Sequence, residues 1–161
     1  MKTMIVVSAS GNKGKTHTIM AAARLFPLSD VEYLQYYADA PATGLNPSWV
    51  LCRGKYAVGE TEKNVGFSSE GDTFESVHNG LVALTHDAVY PDVIVLACRT
   101  RGASRGAVED FAAQHGYALI WTSTYYGVTP AGSSFFIAPN GVDLNGVFAQ
   151  DIVELVKRLL S

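Results

Sequence analysis

The chain is predicted to fold as α/β, a three-layer doubly wound domain on a mostly parallel sheet of about five strands with one added antiparallel hairpin strand. Three observations predict it. Apolar runs alternate with helical stretches along the chain. The first run, residues 3–8, is apolar without alternation, as a strand covered on both faces is. The last stretch, residues 144–160, places Ile152, Leu155, Val156, Leu159 and Leu160 on one helical stripe that can face a sheet.

In chain order, the strand at 3–8 runs into a glycine-containing turn and a helix over 15–26 that Pro27 stops. A second strand is expected at 31–37. Residues 38–48, with two prolines and a glycine, read as loop. Residues 49–59 are rich in strand formers and are expected to break at Arg53-Gly54-Lys55. A short polar link, 60–64, suggests a hairpin to a strand at 65–69. A helix follows over 73–85. Pro91 precedes the clearest strand, 92–98, and the helix over 104–115 ends at Gly116. A strand at 117–122, a last one at 133–138 closed by the Asn140-Gly141 turn signal, and the final helix complete the order.

The 161 residues fit a single domain, 1–161, and 48% apolar content is enough for a sizeable core. The formal charge of −3, with no basic run, speaks against a nucleic-acid backbone binder. Cys52 and Cys98 have neither zinc nor disulfide-framework spacing. The apolar run after Met1 is too short for a signal peptide or a membrane span, so a reducing, cytoplasmic setting is the expectation.

The chemistry concentrates after the first strand. Ser8-Ala9-Ser10-Gly11-Asn12-Lys13-Gly14-Lys15-Thr16 is a small-residue turn leading into a helix. Successive backbone N–H groups ahead of a helix start form an anion nest. Gly11 and Gly14 let the backbone approach phosphate oxygens, and Asn12 tolerates positive φ. Through Gly14, Lys15 and Thr16 the chain resembles the P-loop NTPase superfamily and its Walker A motif, G-x-x-x-x-G-K-[ST], with Ala9 where the first glycine belongs. Ala9 bears on the tightness of the first turn more than on the phosphate contacts. The resemblance implies that Lys15 reaches the terminal phosphates of ATP or GTP and that Thr16 supplies a hydroxyl to Mg²⁺. The nucleotide-binding set is Ser10, Gly11, Asn12, Lys13, Gly14, Lys15, Thr16 and His17. Lys13 reads either as a second charge over the phosphates or as a solvated loop lysine, and His17 as helix surface rather than catalyst.

The resemblance also implies a metal carboxylate at the carboxyl end of a neighbouring strand. Asp92 stands at the amino end of its strand, the wrong edge. Glu70 and Asp72 follow a strand and precede a helix, at the correct edge, so Asp72, with Glu70 in reserve, is the expected metal ligand. The other reading of Asp72 is a helix N-cap with Glu75 as its capping-box partner.

Arg99, Arg101 and Arg105 follow the clearest strand. Guanidinium groups match phosphate oxygens and stabilise charge in phosphoryl transfer, so all three join Lys15 as candidate catalytic residues; a solvated loop pairing with surface acids is the alternative. Cys98 followed by Arg105 invites a Cys-dependent phosphatase reading, but six residues intervene where that chemistry has five. Tyr125 and Tyr126 could stack on a nucleobase or pack against a helix end, and 127–134 could form a cover. His78, His86 and His115 read as surface.

The leading expectation is therefore a small Mg²⁺-dependent NTPase or P-loop kinase. A small phosphoryl acceptor or a protein partner would be its second ligand, with no nucleic acid or membrane indicated. A nucleotide-binding sensor or partner subunit without turnover is the alternative, and the phosphatase the third.

Overall fold

The computed structural model of the chain describes residues 1–10, 13–36 and 48–161. The predicted loop at 38–48 lies outside the described residues except for Ser48, and so do Gly11, Asn12 and Tyr37. The elements in order are β1 (Thr3–Ser8), α1 (Lys15–Leu25), β2 (Ser29–Tyr33), β3 (Leu51–Val58), β4 (Thr61–Ser68), α2 (Phe74–Leu84), β5 (Val93–Cys98), α3 (Ala103–His115), β6 (Ala118–Thr122), the short strands β7 (Gly127–Val128) and β8 (Ser134–Phe135), and α4 (Leu144–Leu160).

Six strands form one sheet in the order β2-β3-β4-β5-β1-β6. β1 pairs in parallel with β5 and β6, and β4 in parallel with β5. β3 pairs antiparallel with β2 and β4, so it alone runs against the rest. β1 lies inside the sheet, between β5 and β6, and both its faces are apolar. Ile5 and Val7 join one core cluster with Ile19 and Met20 of α1 and Phe148, Ile152 and Val156 of α4. Met4 and Val6 join the other, with Val77 and Leu81 of α2 and Val108 and Phe111 of α3. Each such fully buried aliphatic side chain contributes about 1.5–3 kcal/mol.

From β1 the chain crosses by α1 toward β2 and β3. From β4 it crosses by α2 and α3, on the opposite face, to β5 and then past β1 to β6. The carboxyl ends of β1, β4, β5 and β6 lie along one edge of the sheet, with a crevice over them.

Four expectations are corrected. β3 does not break at Arg53-Gly54-Lys55, because the Arg53 guanidinium is satisfied inside the fold. Its Nε donates to Glu32 Oε2 at 3.1 Å, and one Nη donates to the carbonyls of Leu84 and His86 at 3.0 and 3.1 Å. Most of the 60–64 link is strand, because Gly59, at φ 61°, turns the chain tightly enough for pairing to begin at Val58–Thr61. The expected last strand at 133–138 does not join the main sheet. Only Ser134–Phe135 pairs, with Gly127–Val128, in a separate ladder where the Phe135 ring packs flush on Gly127. On α4, Phe148, Ala149, Ile152, Val153, Val156 and Leu160 are buried, while Leu159 faces outward.

Among the described residues no helix is long and apolar enough to cross a membrane.

Candidate functional site

The crevice lies over the carboxyl ends of β1, β4 and β5. Ala9 leaves β1 with its N–H donating to the Cys98 carbonyl at 3.3 Å, and it needs no positive φ, so a Cβ is tolerated where the motif has glycine. Gly14 sits in the left-handed region (φ 81°, ψ 15°), and α1 starts there without a side-chain cap or an acidic residue in its first turn. Among the described residues no side chain caps the orphan N–H groups of that turn, which suits an outside acceptor.

Lys15 is the centre of the site. Only 6% of it is exposed, and its Nζ donates to the Ala9 carbonyl at 3.0 Å and faces Asp72 Oδ1 at 3.5 Å. Burial pushes the ammonium below its ordinary range. The Asp72 carboxylate opposes that shift and the Arg99 charge adds to it. Arg99 Nε approaches the same Asp72 oxygen at 3.4 Å, so one carboxylate holds two cations. Thr16 donates its hydroxyl to the Ser69 carbonyl at 3.4 Å, which ties the start of α1 to the loop after β4.

That loop is placed by two features. Gly71 lies so close to the end of β5 that a Cβ would collide with the Ala97 carbonyl. The Tyr36 hydroxyl, buried behind the loop, donates to the Val50 carbonyl at 2.8 Å and accepts the N–H groups of Ser69 and Glu70 at 2.9 and 3.0 Å. α2 is capped not by Asp72 and Glu75 but by Thr73 and Ser76, in a reciprocal capping box. Asp72 is thereby free to face Lys15.

A cavity of about 340 Å³ opens here, lined by Lys15, Thr16, Ser69, Glu70, Asp72 and Ser76 among others. Glu70 is raised above the usual carboxyl range, first by burial and then by the Asp72 charge. A smaller cleft beside it is lined by Lys13, Gly14, Lys15, Thr16, His17 and Asp72. His17 itself is exposed on α1, and Ser10 is exposed at the mouth of the loop. Gly11 and Asn12 lie outside the described residues.

Among the described residues no group of three or more His, Cys, Asp or Glu side chains converges as a self-sufficient metal site. The Thr16 hydroxyl and the Asp72 and Glu70 carboxylates border the same cavity. This hard-oxygen set fits Mg²⁺ brought in on phosphate oxygens and water, and does not fit a softer metal.

The three arginines part company. Arg99 reaches Asp72. Arg105 stacks on the Trp121 ring at 4.0 Å from its centroid and donates its Nε to Glu109 at 2.8 Å. Arg101 is exposed and enters no ion pair among the described residues. Cys98 is fully buried, its thiol donating to the Arg99 carbonyl at 3.2 Å, and burial pushes its pKa up. A phosphatase nucleophile needs the reverse shift.

Asp92 binds the backbone of Asn64 at the amino edge of the sheet. Tyr125 packs on Phe148 of α4 and donates to Asp151 at 2.8 Å, whereas Tyr126 lies under Lys13. His86 is held by Glu32 at 2.7 Å, and His78 and His115 pack on aromatic neighbours. A separate cavity of about 290 Å³, between the end of α1 and β2–β3, is lined mainly by apolar residues and does not reach the turn after β1.

Sequence reasoning missed Tyr36, because nothing local marks a hydroxyl whose partners lie at Val50 and Ser69. It also missed Gly71, whose only sequence signal is a glycine between two acids. In comparisons with known proteins, no family model, no curated protein and no solved structure matches the chain.

Proposed function

We propose that the protein binds a Mg²⁺-nucleoside triphosphate at the turn after β1 and acts on it as a small NTPase or P-loop kinase, on a three-layer doubly wound α/β scaffold. The observation that carries this reading is the Lys15 ammonium, buried at the carboxyl end of β1, one residue after a left-handed glycine and 3.5 Å from Asp72. A buried ammonium is costly unless something anionic meets it. Among the described residues its one anionic partner is a largely solvent-exposed carboxylate shared with Arg99. A phosphate entering beside the uncapped α1 start would meet Lys15 and free N–H groups together.

In this reading Lys15 and the loop amides hold the β- and γ-phosphates, and Thr16 with Asp72 holds the metal, which when bound neutralises charge on the phosphate oxygens. Arg99 sits beside the γ-phosphate, where charge develops. Glu70, with its raised proton affinity and its place in the same cavity, is suited to orient and deprotonate the attacking oxygen. The oxygen–γ-phosphorus bond forms as the bond from that phosphorus to the β–γ bridging oxygen breaks, and the nucleoside diphosphate leaves.

The second reading, a sensor that binds without turnover, is favoured by one feature. Asp72 is held by two cations, Lys15 and Arg99, an arrangement that nucleotide binding would have to rearrange. Thermal unfolding with ATP and with GTP, each with and without Mg²⁺, tests binding. A Mg²⁺-dependent rise in melting temperature with at least one is expected, and no rise with either overturns both readings. Phosphate release then separates enzyme from sensor.

A further inference from the structure

A second cavity, about 410 Å³, opens on the other side of the phosphate loop, over the ends of β1 and β6. Its volume suits a small molecule. The lining has two cations, Lys13 and Arg105, two aromatic rings, Trp121 and Tyr126, and hydroxyls that include Ser10 and Thr100. None of its lining residues is acidic.

The cations are organised by the rings. Arg105 lies 4.0 Å from the Trp121 centroid and Lys13 4.8 Å from the Tyr126 centroid. A guanidinium stacked by its face keeps its N–H edge free for a planar or tetrahedral oxyanion. Among the described residues Arg105 uses only Nε, toward Glu109, and both Nη groups remain available. Lys13 is fixed from the far side by Ser134, its Nζ donating to that hydroxyl at 2.6 Å.

We propose that this cavity is a binding site for a small organic oxyanion, a phosphate monoester or a carboxylate, gripped by the edge of Arg105 and by Lys13. Its role as the phosphoryl acceptor rests on the nucleotide reading of the neighbouring loop; its ability to bind the anion does not. Lys13 borders both this cavity and the cleft at Gly14 and Lys15, so an anion here lies next to the phosphates of a nucleotide there.

Trp121 is one of two tryptophans, so emission reports on the cavity, and Trp121→Phe assigns the signal. The full chain is titrated with glycerol 3-phosphate, with succinate, and with glycerol as the neutral control. A saturable change with at least one anion and none with glycerol is expected. Its apparent Kd should rise at least tenfold in Arg105→Gln and in Lys13→Gln, and stay unchanged in Arg158→Gln on α4. A response to glycerol 3-phosphate alone assigns a phosphate, and a response to succinate alone assigns a carboxylate. No saturable change with either anion, or affinity that survives both Arg105→Gln and Lys13→Gln, overturns the proposal. ATP titrations of the same proteins keep the two sites apart, since anion binding without nucleotide binding sinks the loop reading and spares this one.

Discussion

Lys15 and Asp72 form an ion pair at 3.5 Å although 57 positions separate them in the chain. The pair closes only because α1 starts at the end of β1 and the β4–α2 loop is drawn across the end of β5 toward it. Lys15 is almost wholly buried while the Asp72 side chain is 65% exposed. The attraction is therefore screened on one side, and the pair is weak enough for an incoming ligand to rearrange.

Asp72→Asn removes the carboxylate that faces both cations. The expected result is a protein that still binds nucleotide but gains little from Mg²⁺, with the metal-dependent part of the affinity falling roughly tenfold or more. Nucleotide titrations across a Mg²⁺ series check this. An unchanged Mg²⁺ dependence would remove Asp72 from the metal site.

Gly71→Ala places a methyl group against the Ala97 carbonyl, which belongs to a central strand and cannot yield. The loop must lift instead. A loss of about 1–3 kcal/mol in stability is expected, the range for forced overpacking, together with weaker nucleotide binding as Asp72 moves from Lys15. Urea unfolding of the two proteins measures the first effect and calorimetry the second.

Tyr36→Phe keeps the ring against Trp49 and removes the hydroxyl that collects the Ser69 and Glu70 N–H groups. Ser69 N–H retains the Val50 carbonyl at 3.0 Å. Leaving buried polar groups unpaired costs about 1–3 kcal/mol. Thermal unfolding should show a melting point lower by several degrees, and faster amide exchange should be confined to the 69–72 loop.

The contrast between these residues explains what the sequence made legible. The end of β1, the start of α1 and the whole of α4 were readable because each depends on neighbours in the chain: an apolar run, a glycine before a lysine, a helical stripe. Asp72 was placed at the correct edge because strand polarity alone puts it there. The use of Tyr36, the tolerance of a buried Arg53 within β3 and the turning away of Arg105 depend on partners tens of residues distant, which local pattern does not encode. The outcome at 133–138 has the same cause. Its residues favour a strand, but Phe135 pairs over Gly127 rather than along β6.

Glu70 gives the pH dependence. Its folded-state pKa is raised above the ordinary 4.5, so the native protein holds this proton more tightly than the unfolded chain does. The resulting stabilisation is fully present below about pH 4.5 and is lost as pH rises through the folded-state value. Glu70→Gln should therefore be more stable than the parent at pH 7, with the difference shrinking toward pH 4.5 in denaturant melts at several pH values. The same substitution should abolish turnover while leaving nucleotide affinity within a few fold if Glu70 acts as the base.

Calorimetric titration of the parent protein and of Lys15→Ala with Mg²⁺-ATP and Mg²⁺-GTP tests the central claim most directly, with circular dichroism confirming that both are folded. Saturable binding of one nucleotide at a single site, weakened by at least roughly a hundredfold in Lys15→Ala, is the predicted result. Equal affinity in the two proteins, or no heat of binding from the parent with either nucleotide, would contradict it.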